Sequence, residues 1–156
     1  MRTDELTTTL ETLFSELMHG VSRAGGFMLN VGDHGLLRSL ERVSAAEASV
    51  LTRTGSSIAA HVDHLRYGLS LMNRWAAGED NPFGDADWEA SWRRKTVTEE
   101  QWRELRDKLR RQAAQWQKAV AARTQWDDMA AAGTIASVAH TAYHLGAIRQ
   151  ILAGMS

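Results

Sequence analysis

The sequence predicts an all-α fold, a four-helix bundle with long connecting loops, and three observations point there. Pro82 is the only proline in 156 residues. Alanine, leucine, arginine and glutamate, all good helix formers, dominate the composition. Apolar residues recur three and four positions apart over four long stretches, the period of a helix that buries one stripe.

The first stretch, residues 4–20, sets Leu6, Leu10, Leu13, Leu17 and Met18 on one face, with Thr3 able to cap its start and Gly20 able to end it. Residues 21–56 then form a long connection in which a short helix is expected from about Gly35 to Arg42. Residues 57–77 carry Ile58, Val62, Leu65, Leu69 and Met72, with Gly78 as a stop. A second long connection, 79–97, holds Trp88 and Trp92. Connections of this length often serve function or carry a short helix of their own. Residues 99–122 place Trp102, Leu105, Leu109, Ala113, Trp116 and Val120 on one stripe, behind a Thr98/Gln101 capping-box pattern. The last stretch, 134–153, carries Ile135, Val138, Ala142, Leu145 and Leu152. Four such helices bury their stripes against one another, although the long links permit more than one order.

Composition narrows the class. A chain of this length reads as a single domain over 1–156. With 18 basic and 19 acidic residues the net charge is −1, so no basic surface for nucleic acid is expected. Cysteine is absent, which removes disulfides, thiolate ligands and a protein-borne thiol nucleophile. No run approaches the ~20 apolar residues of a membrane helix, and the start lacks a basic-then-apolar leader pattern, so a cytoplasmic protein without a membrane partner is expected.

The histidines carry the chemistry. His140 and His144 stand four residues apart in a stretch so apolar that a helix there has almost no solvent face. At ~1.5 Å rise per residue they lie ~6 Å apart along the axis, on one face. Two buried imidazoles each need a polar partner, and one cation can satisfy both. Small neighbours, Ala142, Gly146 and Ala147, leave room for an ion and a ligand. His61 and His64 both fall on the apolar arc of the second helix, opposite a polar arc of Asp63, Arg66, Ser70, Asn73 and Arg74. Either can complete the set, and four histidines hydrogen-bonded in a dry core is the competing reading. His19 and His34 lack comparable partners and read as surface or cap residues.

The pattern Ser57-Ile58-Ala59-Ala60-His61-Val62-Asp63-His64-Leu65, followed by His140-Thr141-Ala142-Tyr143-His144-Leu145-Gly146-Ala147-Ile148-Arg149-Gln150, resembles the DinB-like superfamily, which includes YfiT-like proteins. The resemblance spans nearly the whole chain and is specific at the two histidine motifs. It implies a four-helix bundle with one divalent ion held by three histidines near one end; three-histidine sites accept nickel, zinc, cobalt or iron, and zinc or nickel is the expectation here. Carried over by position, the ligands are His64, His140 and His144, and His61 takes a supporting or substrate-facing role. The family also implies a homodimer and, for some members, thiol-dependent transfer or hydrolysis with a low-molecular-weight thiol as co-substrate.

Three neutral imidazoles leave coordination positions for water or a small-molecule substrate, as in catalytic sites. No catalytic side chain is assigned. The motif is His-Thr-Ala-Tyr-His, and Thr141 cannot act as the glutamate base of a His-Glu-x-x-His protease. Tyr67, Tyr143, Arg149 and Gln150 are polar groups on or near the histidine helices; an edge-packed Tyr143 and a cross-bundle ion pair for Arg149 are their structural readings. The six tryptophans read as core and loop anchors. The expectation is a metal-dependent thiol transferase or hydrolase, with a non-catalytic metal- or ligand-binding bundle of stress-associated or structural role as the alternative.

Overall fold

The computed structural model describes residues 2–155, which form six α-helices and one 3-10 turn, with no β-strand among the described residues. Helix α1 (Thr3–His19) begins where the Arg2 amide donates to the Glu5 carboxylate at 2.8 Å, so Thr3 lies in the first turn and is not the cap. It stops at Gly20, where φ is 86°. A Cβ on Gly20 would lie 2.0 Å from the Asp33 carbonyl oxygen, and one on Gly35 would lie 2.4 Å from the Gly20 nitrogen. Two bare backbones therefore cross here, pressing the start of helix α2 (Gly35–Glu41) onto the end of α1.

Periodicity misses the four-residue helix α3 (Ala45–Ala48), too short to show one. Its signal is the capping box: Ser44 Oγ accepts from the Glu47 amide at 3.1 Å and the Glu47 carboxylate accepts from the Ser44 amide at 2.8 Å. Helix α4 (Ile58–Ala76) is capped by Ser57, whose Oγ accepts from the Ala60 amide. The 3-10 turn Ala90–Trp92 interrupts the second long connection. Helix α5 (Glu99–Ala121) starts with the expected Thr98/Gln101 box. Helix α6 (Asp128–Ala153) starts earlier than the expected 134, capped by Asp127, whose carboxylate accepts from the Ala130 amide at 2.7 Å. The intervening Ala130, Ala131 and Ala132 are strong helix formers with no polar and apolar faces to reveal a period.

Helices α4 and α1 each pack against both α5 and α6. One continuous hydrophobic cluster fills the space between, with Phe14, Leu17, Leu65, Leu69, Leu109 and Trp116 nearly inaccessible. Indole N–H groups buried there are all used: Trp102 donates to the Val43 carbonyl at 2.6 Å and Trp116 to Ser137 Oγ at 3.0 Å. The polar arc of α4 is not a solvent face throughout. Asp63 and Asn73 are buried; Asp63 pairs with Arg66 and Arg94 at 2.7 and 3.3 Å, while Asn73 donates to Gln112 of α5. With that side also covered, the start of α4 is enclosed all round, and its histidines have nowhere to go but inward. No helix among the described residues is long and apolar enough to cross a membrane.

Candidate metal centre

Helices α4 and α6 bring four imidazoles together. His64, His140 and His144 each offer a ring nitrogen, and the three atoms lie within 4.8 Å of one another. His144 is fully buried, His64 is 8% exposed and His140 is half-buried. Such a group is close enough to hold a metal ion. The separation of His140 Nε2 and His144 Nε2 is 2.9 Å. Two nitrogens each ~2.0–2.1 Å from one ion and about 90–110° apart would be separated by roughly 2.9–3.4 Å, so this pair needs little movement to share one.

Tautomers follow from the hydrogen bonds. The Ser91 hydroxyl donates to the Trp88 carbonyl at 2.6 Å, which leaves its oxygen to accept from His64 Nδ1–H at 2.7 Å. His64 Nε2 is then unprotonated, with its lone pair available to a metal ion. For His144 Nε2, which faces His140, to be the metal-binding atom, Nδ1 must carry the proton and donate to His61 Nδ1 at 2.9 Å. His61 thereby spends the lone pair of Nδ1 in orienting His144. An outer partner that fixes a ligating imidazole by its second nitrogen is a regular feature of metal sites.

Burial keeps the cluster neutral. It pushes all four imidazoles below the usual histidine value, and mutual repulsion adds to it for two of them. His64 is pulled down to about 4, chiefly by burial and then by His140 and His61. His144 is pulled down to about 2, again by burial first and then by its three imidazole neighbours. At neutral pH every ring is therefore neutral, with one unprotonated nitrogen, the form that can bind a metal. The carboxylate nearest in sequence, Asp63, is engaged with Arg66 and Arg94. A dication held by three neutral imidazoles keeps its full charge and calls for an anionic ligand from outside the protein.

Aromatic residues of the 77–98 connection close one side. Trp92 stacks on His64 with ring centroids 4.2 Å apart and meets His61 edge-on at 5.0 Å. Trp88 tilts against His64 at 5.5 Å. Tyr67 fixes this connection, its hydroxyl accepting from the Asp87 amide at 3.0 Å. From the α4 side, Gly68 makes room for His140: a Cβ there would come 3.2 Å from its Cε1 and 3.4 Å from its Nδ1.

Other residues singled out by sequence go elsewhere. Arg149 pairs with Asp33 at 2.7 Å, tying α6 to the α1–α2 connection. Tyr143 is 66% exposed and packs on no neighbouring helix, though its ring meets His144 edge-on at 5.1 Å. Ile135 is likewise exposed. His19 is exposed and contacts Gln117, and His34 precedes α2 without a side-chain capping bond. Ser91, Trp92, Trp88 and Gly68 were not legible as site residues; only the four-residue spacing of the two tryptophans hinted at a shared face. Comparison with protein-family models, with curated proteins and with solved structures returned no match.

Proposed function

We propose that this chain is a DinB-like four-helix-bundle protein that binds one divalent ion, zinc or nickel, through His64, His140 and His144, and uses it on a small molecule with an external thiol or water as nucleophile. The observation that carries this reading is the convergence of three neutral imidazole nitrogens with no carboxylate among them. When bound, such an ion acts as a Lewis acid and lowers the pKa of a coordinated thiol or water. The chain's own part is to orient the ligands: Ser91 fixes His64, His61 fixes His144, and Gly68 admits His140. Trp92 and Trp88 exclude water from one side. With no cysteine in the chain, a thiol nucleophile has to be a co-substrate.

A non-catalytic binding role is the second reading, and the tryptophan cover over His64 favours it. The two separate on rates. Conjugation of small electrophiles to low-molecular-weight thiols, and ester hydrolysis, should be faster with metal-loaded than with metal-free protein. Equal rates across a broad panel leave the binding role. The homodimer is part of the same DinB-like proposal, and sedimentation of the untagged protein tests it.

A further inference from the structure

A cavity of about 390 Å³ lies between α4, α6 and the 77–98 connection, and His140 is part of its wall. We infer that it binds the uncharged, apolar end of a small molecule, one aromatic ring or a branched aliphatic group, whose polar end reaches the histidine cluster. Only the polar end rests on the metal reading above.

Polarity decides the ligand class. No charged side chain lines the cavity; Leu69, Met72, Phe83, Trp88 and Ala136 make most of its wall. Apart from His140, the polar side-chain groups in the lining are one indole N–H, on Trp88, and the hydroxyl of Ser137, whose hydrogen is already committed. That hydroxyl donates to the Thr134 carbonyl at 2.8 Å and its oxygen accepts from Trp116 Nε1 at 3.0 Å. A charged or strongly polar group entering here would lose most of its hydration without equivalent replacement. An apolar group loses nothing and frees the water that otherwise lies against Phe83 and Trp88, which are 36% and 39% exposed. The volume sits near the low end of small-molecule sites, about 300–1,000 Å³, and suits a single ring better than a fused system.

Orientation follows from His140. It is shared between the cavity and the three-nitrogen group, so a ligand seated in the cavity has the cluster at one end. The ligand expected is therefore amphiphilic: an apolar body in the cavity and a metal-binding or hydrogen-bonding head at the histidines.

Fluorine NMR on the full chain tests this without an identified substrate. In metal-free protein, 4-fluorotoluene should bind saturably and at least tenfold more tightly than 4-fluorobenzoate. Ala136→Phe, at an exposed position on the rim, fills the mouth and should weaken 4-fluorotoluene at least tenfold while circular dichroism stays unchanged. In zinc-loaded protein, 4-fluorobenzohydroxamate should bind at least tenfold more tightly than acetohydroxamate, and Ala136→Phe should erase that ratio. Failure to take up zinc with the first result intact sinks the metal reading and leaves the cavity assignment standing. Equal binding of the two metal-free probes, or a folded Ala136→Phe that binds 4-fluorotoluene as the wild type does, overturns the assignment. So does a dimer that Ala136→Phe dissociates in the absence of any probe binding, since the cavity would then be a contact between copies.

Discussion

Single residues set what the imidazoles can do. Ser91 holds His64 in the tautomer that leaves Nε2 free, through a hydroxyl whose own proton is committed to Trp88. Ser91→Ala removes that bond and should lower metal affinity by about 10–100-fold with little change in fold, measured by competition with a chromophoric chelator. His61→Ala should weaken binding without abolishing it, because His61 orients His144 and is not a proposed ligand. Loss of binding in His61→Ala with binding intact in His64→Ala would move the third ligand three residues upstream. The depressed pKa values also fix a pH dependence for the metal-free protein. His64 falls from 6.5 to about 4 in the folded state, and His61, His140 and His144 shift the same way. Below pH 6.5 the unfolded chain takes up protons that the folded chain refuses, so stability rises with pH across this window. Denaturant midpoints should therefore drop steadily from pH 7 to pH 4, and flat midpoints would mean that the imidazoles are solvated. The i, i+4 pair was legible in sequence because its geometry lies within one helix. Ser91 was not, because its position depends on how a 20-residue-scale connection folds over α4, and no local pattern encodes that.

Helices and their connections bring those residues into register. On α4, Gly68 costs helix propensity, about 0.8–1.0 kcal/mol relative to alanine, in exchange for the space His140 occupies. Gly68→Ala should therefore hold or raise the melting temperature of the metal-free protein while lowering metal affinity severalfold. A fall in stability with unchanged affinity would show that the space serves packing alone. The α1–α2 connection is held by Glu16, a buried carboxylate accepting from the amides of Phe27, Met28 and Leu29 at 2.9, 2.6 and 2.6 Å. Burial pushes its pKa up, but the three amides outweigh that and leave it lowered. Glu16→Gln turns an N–H donor toward these donors and should cost about 2–4 kcal/mol in chemical denaturation. Helix existence was readable from period and caps wherever a helix had two contrasting faces. Where it had none, as in Ala130–Ala132, the start is not legible, and neither are the partners that bury part of the polar arc of α4, because Gln112 and Arg94 come from other elements.

At the scale of the molecule, four long helices close around one core and bring four of the six imidazoles to a single place, beside an apolar cavity. That combination, and not the fold, is what argues for a function. The site's charge balance makes the claim specific: neutral ligands, no free carboxylate nearby in sequence, and therefore a dication that needs an external anion. Zinc K-edge X-ray absorption on untagged protein loaded with one equivalent of zinc tests it most directly. The account predicts three imidazole nitrogens at about 2.0–2.1 Å with at least one further light ligand, a spectrum retained in His61→Ala and losing one imidazole in His140→Ala. Zinc that stays in solution, or a shell of four imidazoles with no place for an outside ligand, would contradict it.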